Sequence, residues 1–87
     1  MILHKNIKTS HVEINGNHTL LIEGDIVIKK GKNYYQFPLK TSSYFPKESE
    51  IPVRIKTTFD KFQERAKYIF DNWAEQKLKI KYRKIEL

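Results

Sequence analysis

The sequence predicts a two-layer α+β domain in which a mostly antiparallel sheet of four or five strands packs against one long helix. Apolar residues with helical spacing fill the segment that begins near Thr57. Alternating apolar and polar residues fill most of the chain before it and a short segment after it, as in strands with one buried face. With 87 residues, the chain is expected to form a single domain over residues 1–87.

Composition narrows the classes of function. Seventeen Lys and Arg residues against ten Asp and Glu residues give a net charge of +7, which favours contact with nucleic acid, an acidic protein or an anionic surface. The chain contains no cysteine, so disulfides and thiolate metal sites are excluded. No apolar run is long enough for a transmembrane helix or a secretory signal, and we therefore expect a cytoplasmic protein without a membrane partner.

The amino-terminal half predicts a three-stranded meander. Residues 1–10 form either an unpaired arm or an edge strand, and Asn15-Gly16-Asn17 then predicts a tight turn, since Asn and Gly tolerate positive φ. A long strand is expected from Thr19 to Lys29. The alternative is a turn at Glu23-Gly24-Asp25, but the apolar residues on both sides of Gly24 keep the same parity, which favours one continuous strand.

The third strand of the meander is expected over Tyr34–Lys40, after a turn at Lys30–Asn33. Pro38 removes a backbone donor, so this strand is predicted to lie at an edge of the sheet or to end there. Residues 41–51 are rich in Ser and predict an irregular loop, in which the aromatic pair Tyr44-Phe45 packs on the core or lines a groove.

The carboxyl-terminal half predicts a strand, the long helix and a further strand. Residues 53–57 alternate as a strand does, the helix is expected to begin with Thr57 or Thr58 as its N-cap, and residues 78–83 alternate again. The predicted core collects the inward positions of all these elements. Its members are Ile22, Ile26, Ile28, Phe37, Val53, Ile55, Phe62, Ile69, Trp73, Leu78 and Ile80.

Alternation in the last two predicted strands indicates a cationic surface. If the helix covers the apolar side of these strands, their cationic residues share the opposite side. These residues are Arg54, Lys56, Lys79, Lys81 and Arg83. The helical segment Thr58–Gln76 contains four acids and three bases, so the rest of the chain carries a net charge of +8. The acids Glu13, Glu23 and Asp25 belong to the outer face of other strands, and the charge is therefore expected to be segregated.

Such a surface favours binding of DNA or RNA, because contact with phosphates requires only cations with sufficient reach. Tyr34, with Lys30 and Lys32 of the adjacent turn, is expected to add accessory contacts, including stacking on an unpaired base. Two alternatives stay open. Either the sheet face is simply solvated, or the chain is a non-enzymatic interaction module, such as a small phage- or mobile-element-type inhibitor or adaptor that docks on a nucleic-acid-processing enzyme.

Residue types that support catalysis or metal binding are present without a recognisable arrangement. His4, His11 and His18 fall in the first residues, at a strand start and beside a turn, so no regular element brings them onto one face. The serines have no evident His and acid partners, and the three glycines are scattered rather than grouped around a phosphate. We therefore expect no enzymatic activity, no cofactor and no metal.

Overall fold

The computed structural model describes residues 1–73 and 80–86 and shows the predicted α+β architecture. Four strands form one antiparallel sheet in the order β1-β2-β3-β4, and one long helix packs against it. The elements are β1 (Ile2–Ile14), β2 (Asn17–Lys30), β3 (Asn33–Phe45), a 3₁₀ turn (Glu48–Glu50), α1 (Ile51–Asp71) and β4 (Arg83–Ile85). No helix in the described ranges has the length and apolarity needed to cross a membrane.

The two sides of the sheet are different surfaces. We call the side that α1 covers the helix face and the other side the open face. Directly paired residues of antiparallel strands share a face, so the register assigns each paired residue to one of the two. The helix face and α1 together form the buried cluster of Ile22, Ile26, Ile28, Phe37, Leu39, Phe62, Ala66 and Ile69. Six of these eight residues were predicted to be in the core, and the prediction is confirmed for them. The two that were not predicted are Leu39 and Ala66.

The β1–β2 hairpin confirms the predicted turn. Asn15 and Gly16 connect the strands with φ angles of 53° and 79°, as a two-residue turn with the twist of the flanking strands requires. Residues 2–10 belong to β1 at the edge of the sheet, rather than to an unpaired arm. β2 continues through Gly24, which confirms the long strand and excludes a turn there.

Gly24 lies where β1 deviates from regular pairing. The ladder between β1 and β2 is irregular between Lys5 and Lys8, and Asn6 adopts a φ of 55°. A Cβ atom at Gly24 would meet the side chain of Ile7 and would lie 3.1 Å from the Lys5 carbonyl oxygen. The glycine is therefore required by the close approach of the bulged strand.

The prediction of an irregular loop over residues 41–51 is wrong. β3 continues to Phe45, and α1 follows after a single 3₁₀ turn. Small hydroxyl residues of this part of β3 alternate between the two faces. Ser43 faces α1 and is buried, and its Oγ lies 2.6 Å from Thr58 Oγ1. This hydrogen bond pairs the hydroxyl groups of Ser43 and Thr58 with each other, so the serine can be buried within the strand.

The predicted strand over residues 53–57 is also wrong, because these residues form the first turns of α1. Pro52 stands in the first turn of the helix, where its missing N–H would have had no intrahelical partner. Glu50 and Arg54 form an ion pair of 3.1 Å with the i, i+4 spacing that a helix provides. The helix thus begins several residues before the predicted N-caps.

The early start of α1 changes which residues are buried. Val53 and Ile55 are 67% and 40% exposed, so their predicted place in the core is wrong. Thr57 lies inside the helix, where its hydroxyl donates to the Val53 carbonyl oxygen, and Thr58 is buried against β3. The five alternating residues fit a strand and an exposed helical turn equally well, and in the structure they form the helical turn.

The last strand is shorter than predicted. β4 has three residues, and Leu78 and Lys79 of the predicted strand lie outside the described residues. Ile80 packs against the buried cluster, and the Tyr82 ring packs edge-on against Trp73 with centroids 4.9 Å apart. The prediction that residues 80 and 82 face the core side is therefore confirmed.

Candidate nucleic-acid interface

Two of the five cations predicted on one sheet face lie on the helix instead. Arg54 and Lys56 belong to α1, so the alternation of a strand does not apply to them. The Arg54 guanidinium is paired with Glu50 at 3.1 Å, and it lies 5.8 Å from the centroid of the Phe45 ring. The predicted place of both residues on the open face is wrong.

Lys81 and Arg83 do lie on the open face. Arg83 pairs directly with Gln36, whose parity along β3 is that of the open face. Tyr82, the residue between the two cations, packs its ring against Tyr35 and Trp73 on the helix side. Alternation therefore places Lys81 on the side of Arg83, and both cations line one surface depression. The predicted alternation is thus present at these two cations, while Lys79 lies outside the described residues.

The three accessory residues are not brought together as predicted. Tyr34 lies half-buried on the open face, and Lys29 Nζ is 5.6 Å from the centroid of its ring. Lys30 belongs to the helix face, where its Nζ lies 3.7 Å from the centroid of the Phe70 ring. Its predicted association with Tyr34 is therefore wrong, and Lys32 is exposed in the β2–β3 turn.

Cations of the meander complete the open face. The register places Lys8 and Lys40 on opposite sides of Glu23, and it places Lys5 beside Asp25. The cations of the open face in the described ranges are Lys5, Lys8, Lys29, Lys40, Lys81 and Arg83. Six cations stand against the two acids of this face, so it carries a net charge of +4.

Two adjoining depressions cross the middle of the open face. One, of about 400 Å³, lies beside Lys81 and Arg83. The other, of about 250 Å³, lies beside Lys8 and Lys40. Asp25 lines both of them. They therefore form one shallow groove, here called the open-face groove, with cations at each end and a carboxylate near its middle.

Acids and bases are interleaved on the open face, so the expected segregation of charge is wrong. Glu23 lies 3.9 Å from Lys40 Nζ, and the Asn6 amide donates to Asp25 over 3.3 Å. An exposed ion pair of this length contributes little, which leaves the Lys40 ammonium available to another anion. Glu13, assigned to the same outer face by its sequence position, lies on the helix face.

The end of the open face nearest the β1–β2 turn is apolar. Val12, Ile14 and Tyr44 are exposed there, Tyr44 at 74%, and Leu21 lies half-buried among them. Of the predicted aromatic pair, only Phe45 packs on the core. Contiguous exposed apolar side chains of this kind are typical of a surface that contacts another molecule.

The three histidines pack against other rings. His4 lies edge-on to Phe62 with centroids 5.8 Å apart. His11 and His18 stack on each other, and His11 Nε2 shares a hydrogen bond of 2.8 Å with His18 Nδ1. In the part of the chain that the structure describes, no three His, Asp or Glu side chains are grouped to hold a metal ion.

Alternation along single strands does not select the meander lysines of the open face, although the two hairpin turns contain the signal. These lysines are Lys5, Lys8, Lys29 and Lys40. A two-residue turn at Asn15-Gly16 sets the β1–β2 register and places Lys8 opposite Glu23, before the bulge is reached. A second two-residue turn at Gly31-Lys32 places Lys40 opposite Glu23 from the other side. Extending both registers from their turns would have predicted that Lys8, Glu23 and Lys40 lie side by side on three neighbouring strands.

Comparisons with known proteins found no match to the chain among family models, curated proteins or solved structures. The candidate interface therefore depends on the open face alone. Its evidence is the set of cations that the described residues bring to the side of the sheet opposite α1.

Proposed function

We propose that this protein binds DNA or RNA in the cytoplasm through the phosphate backbone, using the open face of the sheet. The observation that supports this most is the collection of six cations on the side that α1 leaves uncovered. Phosphate contacts require cations with reach and no particular sequence motif. The proposed role is binding without catalysis, and it requires neither a cofactor nor a metal.

The open-face groove suits an extended polyanion better than a compact anion. Its cations stand in two groups, Lys81 with Arg83 at one end and Lys8 with Lys40 at the other. Lys8 and Lys40 are themselves two strands apart, which corresponds to roughly 10 Å. Asp25 between the groups repels phosphate, so a bound strand is expected to place phosphates at the two ends and its bases over the middle.

An aromatic residue beside these cations favours contact with unpaired bases. Tyr34 lies on the open face next to Lys29 and is two residues along β3 from Gln36. A ring adjacent to a cationic groove supplies a stacking surface for a base that is not paired. Single-stranded DNA or RNA is therefore the first ligand to test.

The proposal predicts binding that weakens steeply with salt. If about four phosphates are contacted, log K should fall against log salt concentration with a slope of roughly −3 to −4. Fluorescence anisotropy of labelled single-stranded and double-stranded oligonucleotides, titrated with protein at several salt concentrations, measures this slope. A flat response, or no binding at low salt, would contradict nucleic-acid binding through phosphates.

The apolar end of the open face favours a second candidate function, the interaction module expected from the sequence. Val12, Ile14 and Tyr44 are exposed on the same face as the cations, so a partner protein with an acidic and apolar surface would fit both. Immobilised protein that retains one partner from nuclease-treated lysate, and loses it in a Tyr44→Ser variant, would favour this function. Retention of nucleic acid alone would favour the first.

A further inference from the structure

The outer edge of β1 is the longest unpaired backbone edge that the structure describes. β1 pairs with β2 on one side, and no residue in ranges 1–73 and 80–86 pairs with its other side. Every residue of the strand after Ile2 is exposed. A row of unpaired N–H and C=O groups is a ready template for another strand.

The two halves of this edge differ in how well they are protected from pairing with a strand of another chain. The amino-terminal half contains the bulge, the positive φ of Asn6 and the flanking Lys5 and Lys8, which are features that prevent pairing between edges. The carboxyl-terminal half, residues 9–14, pairs regularly with β2 and contains no lysine. Pairing with another chain is therefore open only to this second half.

We propose that this half of β1 pairs with the same segment of a second copy of the chain, antiparallel and centred on Val12. A two-fold axis normal to the sheet joins two copies into one continuous sheet, and it sets each residue opposite a residue of the same face. Centring on Val12 places Val12 opposite its own copy. It also places Ser10 opposite Ile14, and His11 opposite Glu13, twice in each dimer.

The side chains select this register over its neighbours. Centring on Ser10 would set Val12 against Lys8, and centring on Glu13 would bring two carboxylates together. Centring on His11 would oppose the two imidazoles and would set Lys8 against Ile14. Among these registers, the Val12 register alone sets an apolar side chain against another and an acid against an imidazole.

One nitrogen of the His11 ring is already hydrogen-bonded within the chain. Its Nε2 lies 2.8 Å from His18 Nδ1, and His18 is buried and stacked on Phe45 with centroids 5.3 Å apart. The hydrogen bonds found among the described residues therefore use Nε2 of His11. When His18 Nδ1–H donates to His11 Nε2, the neutral His11 ring carries its proton on Nδ1, which would donate to Glu13 of the second copy.

Sedimentation equilibrium of the full chain from micromolar to millimolar concentration tests the proposal. We expect a concentration-dependent mass that rises from the 10.4 kDa of one chain towards twice that value. Val12→Lys should raise the dissociation constant by about tenfold or more, because it replaces the central apolar pair with two like charges. Val53→Lys is the matched control, since Val53 is exposed on α1 and should leave association unchanged.

A charge exchange identifies the register. His11→Glu and Glu13→Lys should each weaken association, and the double variant should return it to within about threefold of the wild type, because the two positions face each other. Circular dichroism confirms that each variant is folded. A wild-type chain that stays monomeric at millimolar concentration, or equal effects of Val12→Lys and Val53→Lys, would overturn the proposal, as would a double variant that associates no better than the single ones.

Discussion

Replacing Phe62 with alanine is expected to lower the free energy of unfolding by about 3–5 kcal/mol and to move the unfolding midpoint to a lower urea concentration. Phe62 is fully buried in the cluster between α1 and the helix face. Its ring lies edge-on to His4 and stacks on Phe59 with centroids 6.3 Å apart. A domain of this size is stable by only about 5–15 kcal/mol, so the cavity removes a large fraction of the total.

Urea denaturation followed by circular dichroism measures this loss. Val53→Ala is the control, because Val53 is exposed on the same helix and its replacement should change stability by less than about 0.5 kcal/mol. A Phe62→Ala protein that unfolds cooperatively within about 1 kcal/mol of the wild type would mean that the described packing of α1 is incorrect.

Removing the cations of the open-face groove is expected to abolish most of the affinity for nucleic acid. In the variant with Lys8→Gln, Lys40→Gln, Lys81→Gln and Arg83→Gln, about four phosphate contacts are lost. Each contact contributes a factor of about five for a single strand, or about eight for a duplex, between 0.1 M and 1 M salt. Losing four contacts should therefore lower the affinity at 0.1 M by about 600-fold for a single strand and by about 4,000-fold for a duplex. The salt slope of the remaining binding should lie close to zero.

The helix supplies a control of equal charge. The matched variant replaces four exposed cations of α1 with glutamine: Lys56, Lys61, Arg65 and Lys67. It removes three lysines and one arginine, as the open-face variant does. If binding depends on the open face, this variant should lose less than about tenfold in affinity, through reduced long-range attraction alone. Equal losses in the two variants would show that net charge, and not the open face, determines binding.

The fold was predictable where one pattern was long enough to be unambiguous. The helical spacing that includes Phe62, Ala66 and Ile69 extends over many residues, and the parity of apolar residues in β2 survives Gly24. The Asn15-Gly16 turn was equally clear, because few other dipeptides adopt positive φ at both positions. These features determined the α+β class, and the class is confirmed.

Residues 41–57 were not predictable by the same means. Serine is typical of a loop, but in the folded chain Ser43 contacts Thr58, which is distant from it in the sequence. Residues 53–57 alternate strictly, but such a short alternation does not distinguish a strand from an exposed helical turn. Both errors have one cause, since a short local pattern did not determine either structure.

The candidate site was predictable only in part, and for the same reason. Lys81 and Arg83 face the open side because the residues that precede each of them pack on the other side. These residues are Ile80 and Tyr82. Arg54 lost its predicted place because α1 begins early, and it pairs with Glu50 instead. The meander lysines required the register of two hairpins, which a pattern confined to one strand does not contain.

Mapping the backbone amides that respond to a bound oligonucleotide tests the central claim most directly. In ¹⁵N-labelled protein titrated with a single-stranded 20-mer at low salt, the largest chemical-shift changes are expected along the open-face groove, around Lys8, Lys40 and Arg83 in β1, β3 and β4. Changes concentrated on the exposed side of α1, around Lys56, Lys61 and Lys67, would contradict binding through the open face, as would a spectrum that does not change.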